Sequence, residues 1–520
     1  MQRGVIALVT LIGLTGAAFV AGYLLLFSAS TDRAATLAPA NSAFYVNVYL
    51  QPSTGQQMNL SGLIGRLPGF ADEASLDAKV DQVVQNLLSG SGIDYVNGVK
   101  PWVGNQVAIA GWPASEDPLQ IEVVVIAEVK DREAADAAIG ELVADGGASF
   151  SPETYAGVDL QVDDEGAYGF VDDMLVIGTG ADGLHAVVDA SGDAASLFDQ
   201  AAFRATMDAL APDHLASAYV DLAAIAGSAG VGGQFGSFST AGAILVAERD
   251  GLRVSGSAPF EMTAAAPSAR DRFALGGEPS SLVDWMPDGT LAEVVVFGLG
   301  QTLADAEAAI GASPEGEELT GLLDTFRALA AFALGIDLDA DVLPLLDREV
   351  AVAVTGLGGT LPSGQLLLRP DDAAAALAAL DRIAERLSAV GGTSRTEDLD
   401  GTEITVLTIP DVGEVAYAMV DDIVILGLGR ADVAAAVFAH DSGDSLGNTD
   451  AYTRTFEVAG TRAGTEAYVD IGALVELLGD GVELGDDMRD ILLQIGTFGL
   501  TVPSRDDQIE FHAVLTVDEP

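Results

Sequence analysis

The chain has 520 residues, 49% of them hydrophobic and 19% charged, which excludes wholesale disorder and exceeds what one hydrophobic core usually organises. Its 78 Asp and Glu against 23 Lys and Arg give a formal charge of -55, so nucleic acid and anionic surfaces are repelled by most of the molecule while cations are attracted. The absence of cysteine removes disulfides, thiolate catalysis and Cys-based zinc sites together.

After the short tail Met1-Gln2-Arg3, residues Gly4 to Phe27 contain no charged side chain. About 20 apolar residues cross a bilayer, whereas the apolar part of a secretory signal usually runs about 7 to 15, so the length favours an uncleaved transmembrane helix. A signal cut near Ser28-Ala29-Ser30 is the competing reading. Either way the chain from about residue 28 is expected outside the cytoplasm, since Arg3 and the amino terminus place positive charge just before the apolar segment. Residues 28–36 then read as a linker.

The exported part repeats itself. VDDMLVIGTGADGLHAVVD from Val171 resembles VDDIVILGLGRADVAAAVF from Val420, and Ala218-Tyr219-Val220-Asp221 matches Ala467-Tyr468-Val469-Asp470 at the same offset. GIDYVNGVKPWVGNQVAIA from Gly92 aligns without gaps to GIDLDADVLPLLDREVAVA from Gly335. Two α+β units are therefore expected, residues 37–260 and 282–518, separated by a linker at 261–281 rich in Ala, Ser, Pro and Gly.

Within each unit the elements follow one order. An opening strand (AFYVNVYL; AEVVVFGL) precedes a helical stretch, Glu73 to Leu88 or Glu317 to Leu334. The strands QVAIAGW and EVAVAVTG follow, and after another strand come Ala-rich helices at Arg132 to Asp145 and Asp371 to Val390. Two more strands form a hairpin whose tip is Asp172-Asp173 in one unit and Asp421-Asp422 in the other, because Asp tolerates tight-turn geometry. The sheets are thus expected to be mainly antiparallel with helices packed on them.

This reading decides the one cofactor-like motif. Gly178, Gly180 and Gly183 have the G-x-G-x-x-G spacing of a dinucleotide turn, but that turn follows a parallel strand, and the second unit places Asp432 where Gly183 stands. A plain strand-to-helix turn is expected, with no nucleotide.

The segments LAPANSAFYVNVYL, GIDYVNGVKPWVGNQVAIAG, VDDMLVIG and AYVDLAAI resemble the bacterial domain of unknown function family 3352 over nearly the whole exported chain, with Pro101-Trp102-Val103-Gly104 the most distinctive stretch. The second unit departs from it at Leu345 and Asp347. The resemblance implies a membrane-tethered or secreted envelope protein, and it brings no catalytic residue, substrate or cofactor.

Asp337, Asp339 and Asp341 have the alternate spacing of a calcium loop, making them the metal candidates, yet Val342 and Arg348 stand where such a loop needs Gly and Glu. Trp102, Phe235 and Phe238 are the candidate binding residues, the last two within the Gly-rich stretch Gly227 to Gly242. His185, His214, His440 and His512 show no metal-ligand spacing, and no nucleophile elbow, Walker loop or S-x-x-K is present. Asp221 and Asp470 recur at strand ends and read as helix N-caps. No catalytic residue is assigned. The expected function is a non-catalytic binding or structural role in the cell envelope, toward a partner protein or an apolar ligand. The alternative is an extracytoplasmic hydrolase using carboxylates, assisted by calcium.

Overall fold

In the computed structural model the described residues are 32–519, less Pro52, 69–77, most of 79–93, 115–119, 147–148, 164–165, 230–237, 261–266, 312–320, parts of 322–335, 358–361, 390, 411–412, 480–485 and 506. The apolar segment Gly4 to Phe27, Phe235, the body of the helical stretch Glu73 to Leu88 and much of Glu317 to Leu334 lie outside them. Among the described residues no helix is long and apolar enough to cross a membrane.

The fold is α+β with antiparallel sheets. The chain divides into two compact units: Met1–Ala264 with Asp507–Glu510 and Glu519–Pro520, and Ala265–Asp506 with Phe511–Asp518. Unit 1 contributes β1 (Phe44–Tyr49), β2 (Val103–Pro113), β3 (Ile121–Val129), β4 (Ser151–Tyr155), β5 (Val158–Asp163), β6 (Gly166–Val171), β7 (Met174–Gly178), β8 (Ala216–Asp221), β9 (Thr240–Ala247) and β10 (Gly251–Pro259). Hydrogen bonding arranges them as β10-β9-β8-β1-β2-β3-β7-β6-β5-β4, every pair antiparallel. The helices here are α1 (Thr54–Arg66), α2 (Arg132–Gly146), α3 (Ala181–Ser191), α4 (Ala201–Asp208) and α5 (Leu222–Ala229).

One face of this sheet carries the core. Alternation along β1 turns Tyr45, Asn47 and Tyr49 inward, and Tyr45 joins Ala108, Ala110, Val124, Ile126 and Tyr219 beneath Leu184 and Val187 of α3 and Phe203 of α4. Phe203 meets Tyr45 and Tyr219 edge-to-face at 5.8 and 5.1 Å, the arrangement ring quadrupoles prefer.

Unit 2 contributes β11 (Ala292–Phe297), β12 (Glu349–Gly356), β13 (Ser363–Arg369), β14 (Thr393–Leu399), β15 (Thr402–Ile409), β16 (Gly413–Val420), β17 (Ile423–Gly427), β18 (Thr465–Asp470), β19 (Ile495–Val502) and, from Phe511 onward, β20 (Gln508–Val517). Their order is β20-β19-β18-β11-β12-β13-β17-β16-β15-β14, again antiparallel throughout. That is strand for strand the order of unit 1. Its helices are α6 (Pro267–Leu275), α7 (Leu299–Gly311), α8 (Ala373–Ala389), α9 (Arg430–Ser442), α10 (Asp450–Ala459), α11 (Ile471–Leu478) and α12 (Asp486–Gln494). Val433, Ala436 and Val437 of α9 and Tyr452 and Phe456 of α10 close the core face, while Ala376, Leu380 and Ala384 of α8 cover Leu368, Leu407, Tyr417 and Val424 on the opposite face. The stretch expected as a plain linker at 261–281 thus contains α6.

The turns follow their residues. Asp172 and Asp421 sit at φ 54° and 55° in two-residue hairpin loops, a left-handed conformation Asp accepts more readily than most side chains. A second hairpin in each unit, β4–β5 and β14–β15, was not visible in the sequence pattern. It turns on Ala156-Gly157 and Asp400-Gly401, with both residues left-handed as a type I′ turn requires.

Each sheet is apolar on its second face as well. In unit 2 the cross-strand row Ala467, Val294, Val352, Leu366 and Leu426 runs across five strands, and Val294 and Val352 are each 46% exposed. The corresponding row in unit 1 is Ala218, Val46, Ile109, Val125 and Ile177.

Candidate functional site

The most unusual chemistry lies beneath the residues that lead into the first strand of each unit. Charged side chains are seldom fully buried unless paired. Among the described residues of unit 2 three glutamates are: Glu466 is 0% exposed, and Glu293 and Glu349 are 2% exposed. They belong to β18, β11 and β12, whose register places them on the core face, with Glu466 opposite Val295 and Glu349 opposite Phe297.

Two of them are paired with arginine. Glu466 accepts from Arg462 Nε and from the Tyr452 hydroxyl, each at 2.9 Å. Glu349 accepts from Arg369 Nη1 at 2.6 Å and from the Ser280 hydroxyl. Ser280 joins the two acids, because its N–H reaches Glu466 at 3.4 Å and its carbonyl accepts from Arg462 Nη2. Burial lifts the Glu466 pKa, and the Arg462 guanidinium pulls it back down.

Glu293 is different. Both of its carboxyl oxygens are buried without a hydrogen-bond partner. Burial first, and the neighbouring Glu466 second, push its pKa to about 8. With Arg369 and Arg462 matched to Glu349 and Glu466, Glu293 is the one carboxyl left without a counter-charge.

Unit 1 builds the same place from other residues. Strand register equates Tyr45 with Glu293, Gln106 with Glu349, and Ser217 with Glu466, while Phe203 stands where Tyr452 does. The acid here comes from the entry segment: Asp32 accepts from the Tyr45 hydroxyl at 2.6 Å, Gln106 Nε2 at 2.6 Å and the Ala35 N–H at 3.1 Å. Gln106 also donates to Asn47 at 2.9 Å. Burial raises the Asp32 pKa and the donors oppose it.

The rim is inverted in sign. In unit 1 Arg33 of the entry segment grips Asp173 at the hairpin tip and approaches Glu128 at 3.4 Å. In unit 2 the arginine is on the strand instead, as Arg369, and it approaches Asp422 at 3.4 Å and donates to the Ser281 hydroxyl at 2.7 Å. Sequence reasoning missed this cluster. Its one signal was an acid at an inward position of an otherwise apolar strand, as in AEVVVF and TEAYVD.

The candidates singled out by sequence take other positions. Asp337 caps a helical turn by accepting from the N–H groups of Asp339 and Ala340 at 3.1 Å, Asp339 meets Arg327 at 2.9 Å, and Asp341 meets Arg382 at 2.6 Å. Among the described residues no group of three or more acidic or histidine side chains is placed to hold a metal ion. Trp102 donates from Nε1 to the Gly98 carbonyl at 2.6 Å, closing its own turn. Phe238 packs on Phe260 with ring centroids 5.8 Å apart. Asp221 and Asp470 accept from the third N–H onward, those of Ala224 and Ala473, each at 2.8 Å, as helix N-caps do. His185 stacks on Tyr155 at 3.9 Å and His440 on Trp285 at 3.7 Å.

The glycine motif is a strand-to-helix turn. β7 lies between antiparallel neighbours β3 and β6, and Gly180 precedes α3 in extended backbone at φ -175°. Gly183 lies inside α3 in ordinary helical backbone, which by itself would accept Asp. Packing says otherwise. A Cβ at Gly183 would lie 3.3 Å from Val124 Cγ1 and 3.5 Å from the Glu122 carboxylate. In unit 2 the neighbours of Asp432 are changed to match, with Gln365 in the place of Val124 and donating to the Asp432 carbonyl at 3.1 Å. Gly183→Asp is expected to cost on the order of 1–3 kcal/mol by urea unfolding, and Val124→Gln combined with Glu122→Ser to recover part of it. An unchanged midpoint for the single variant would refute this.

Comparison with known proteins gives one family. A family described as "Protein of unknown function (DUF3352)" matches residues 4–516. No curated protein matches. Among solved structures, the chain is similar to two entitled "Structure of crystal form III of TP0453" and "Structure of crystal form I of TP0453". The first is 10% identical, with 45% of this chain and 81% of that one covered at a TM-score of 0.25. The second is 11% identical, with 48% and 85% covered at a TM-score of 0.26.

Proposed function

The chain belongs to the DUF3352 family, and on that premise we propose that it is a membrane-tethered extracytoplasmic protein with a non-catalytic binding or structural role in the cell envelope. The observation that carries the reading is how closely two features adjoin. The uncharged segment Gly4 to Phe27 is membrane-length, and five residues after it Asp32 and Arg33 are built into unit 1 through Tyr45, Gln106 and Asp173. Such a junction suits a domain held at a membrane surface. The identical strand order and paired Asp-Asp turns support two copies of one ancestral unit. The half-exposed valines Val294 and Val352 offer apolar surface to a partner protein or an apolar ligand.

Fractionation of the producing cells tests the tether. The full chain is expected in the membrane fraction, resistant to alkaline extraction, with Met1 still attached or only the initiator removed. A soluble product beginning near Ser28 would replace the anchor with a cleaved signal, and a cytosolic product would overturn the location altogether. Native mass spectrometry of the detergent-solubilised chain tests the binding role: a retained lipid or protein supports it, and a bare chain with hydrolase activity abolished by a single Asp substitution overturns it.

A further inference from the structure

The buried acids of unit 2 are out of balance by one charge, and the imbalance falls on the residue with no hydrogen bonds. We propose that Glu293 is a proton-operated latch: protonated, it lets Arg462 hold the entry segment through the Ser280 carbonyl, and deprotonated, it draws Arg462 away and loosens that segment.

The geometry supplies the mechanism. Arg462 has two duties, donating from Nε to Glu466 and from Nη2 to Ser280. The groups around Glu293 are Glu466 and Tyr468 from β18, Arg462 from the residues before it and Tyr452 from α10; Glu349 with its partner Arg369 lies farther along the same face. Arg462 is the one cation among those nearest. When Glu293 loses its proton to solvent, a second buried carboxylate forms beside Glu466, and the guanidinium must answer both. Its bond to a neutral carbonyl is the one that yields. Ser280 then loses the donor that fixes its carbonyl, and the Leu282 N–H, which donates to the Ser280 hydroxyl at 3.0 Å, is loosened with it. In unit 1 the equivalent of Glu293 is Tyr45, so the latch belongs to unit 2 alone.

The sign follows from the raised pKa. Glu293 binds a proton in the folded chain up to about pH 8 but in the unfolded chain only to about pH 4.3, so folding takes up one proton between those values. Stability from this residue is complete below about pH 4 and falls as pH rises toward 8. The folding constant should drop up to about tenfold per pH unit across that window. Carboxylates held below their ordinary range, such as Asp173 and Asp341, act in the opposite sense and only at lower pH. Asp32 and Glu466 carry raised values too, and they are common to both chains compared below.

The test compares the full-length chain with its Glu293→Gln variant, which mimics the protonated acid, by urea unfolding from pH 5 to 9. The wild-type curve minus the variant curve should show the tenfold-per-unit fall up to about pH 8 and then level off. Hydrogen exchange at Leu282, corrected for intrinsic chemistry, should accelerate above pH 8 in the wild type and not in the variant. Parallel stability curves would overturn the proposal, as would equal exchange. Should the variant fail to fold, infrared spectra of the wild type decide: a buried carboxylic acid band present at pH 6 and lost by pH 9 supports the latch, and its absence at pH 6 overturns it.

Discussion

Arg462→Leu is expected to destabilise unit 2 by roughly 3–5 kcal/mol, because removing one partner of a buried pair leaves the other charge uncompensated. Glu466 is 0% exposed and would keep only the Tyr452 hydroxyl and the 3.4 Å contact from the Ser280 N–H. The Ser280 carbonyl would lose its donor at the same time. Urea unfolding of the full chain at pH 7 measures the loss. Acidification should shrink it, since Glu466 without its guanidinium takes up a proton more readily. The equivalent residues of unit 1 suggest a rescue. Adding Glu466→Ser and Tyr452→Phe, which install the counterparts of Ser217 and Phe203, should recover more than half of the lost stability. A single-variant cost below about 1 kcal/mol, or no rescue, would show that the arginine does not compensate a buried charge.

Asp32→Ala should cost unit 1 roughly 3 kcal/mol. Three donors converge on that carboxylate, from Tyr45, Gln106 and Ala35, and a buried donor left without an acceptor costs about 1–3 kcal/mol. Asp32→Asn should cost less, because an amide oxygen still accepts. Arg33→Ala serves as the control. Arg33 and Asp173 are about half exposed, and such ion pairs contribute about 0–1 kcal/mol. Equal losses for Asp32→Ala and Arg33→Ala in chemical unfolding would sink the distinction between a buried network and a surface pair.

Much of the fold was legible in the sequence because it rests on local rules. Alternation marked β1, β2, β11 and β12, helical spacing marked α2 and α8, and the Asp-Asp tips announced the β6–β7 and β16–β17 hairpins. β7 pairs antiparallel with its neighbour β6 as the hairpin reading required, and Asp221 and Asp470 are N-caps as their positions suggested. What escaped notice was non-local or mixed in polarity. The strands β4 and β14 carry largely exposed side chains, SPETY and TSRTEDL, so no apolar alternation marks them. The buried acid cluster depends on contacts such as Ser280 with Glu466, far apart in the chain. The two units also fill that place with different residues, so comparing one with the other by identity hides it. Only strand register aligns Glu128 with Arg369 and reveals that the charge has changed sides.

The strand order also sets a timetable for folding. β1 forms early in synthesis, yet its two neighbours are β2 and β8, so residue 44 must wait for residue 220 before its outer edge is paired. β11 waits in the same way for β18, residue 292 for residue 469. Closing loops of that length is slow, and a central strand whose partner lies at the far end of its unit cannot be completed piecemeal. Each unit therefore remains open, with apolar strand edges unsatisfied, until most of it has been made. A chain whose central strands wait this long depends on rapid collapse once complete, or on a chaperone, to keep β1 and β11 from pairing with the wrong edge.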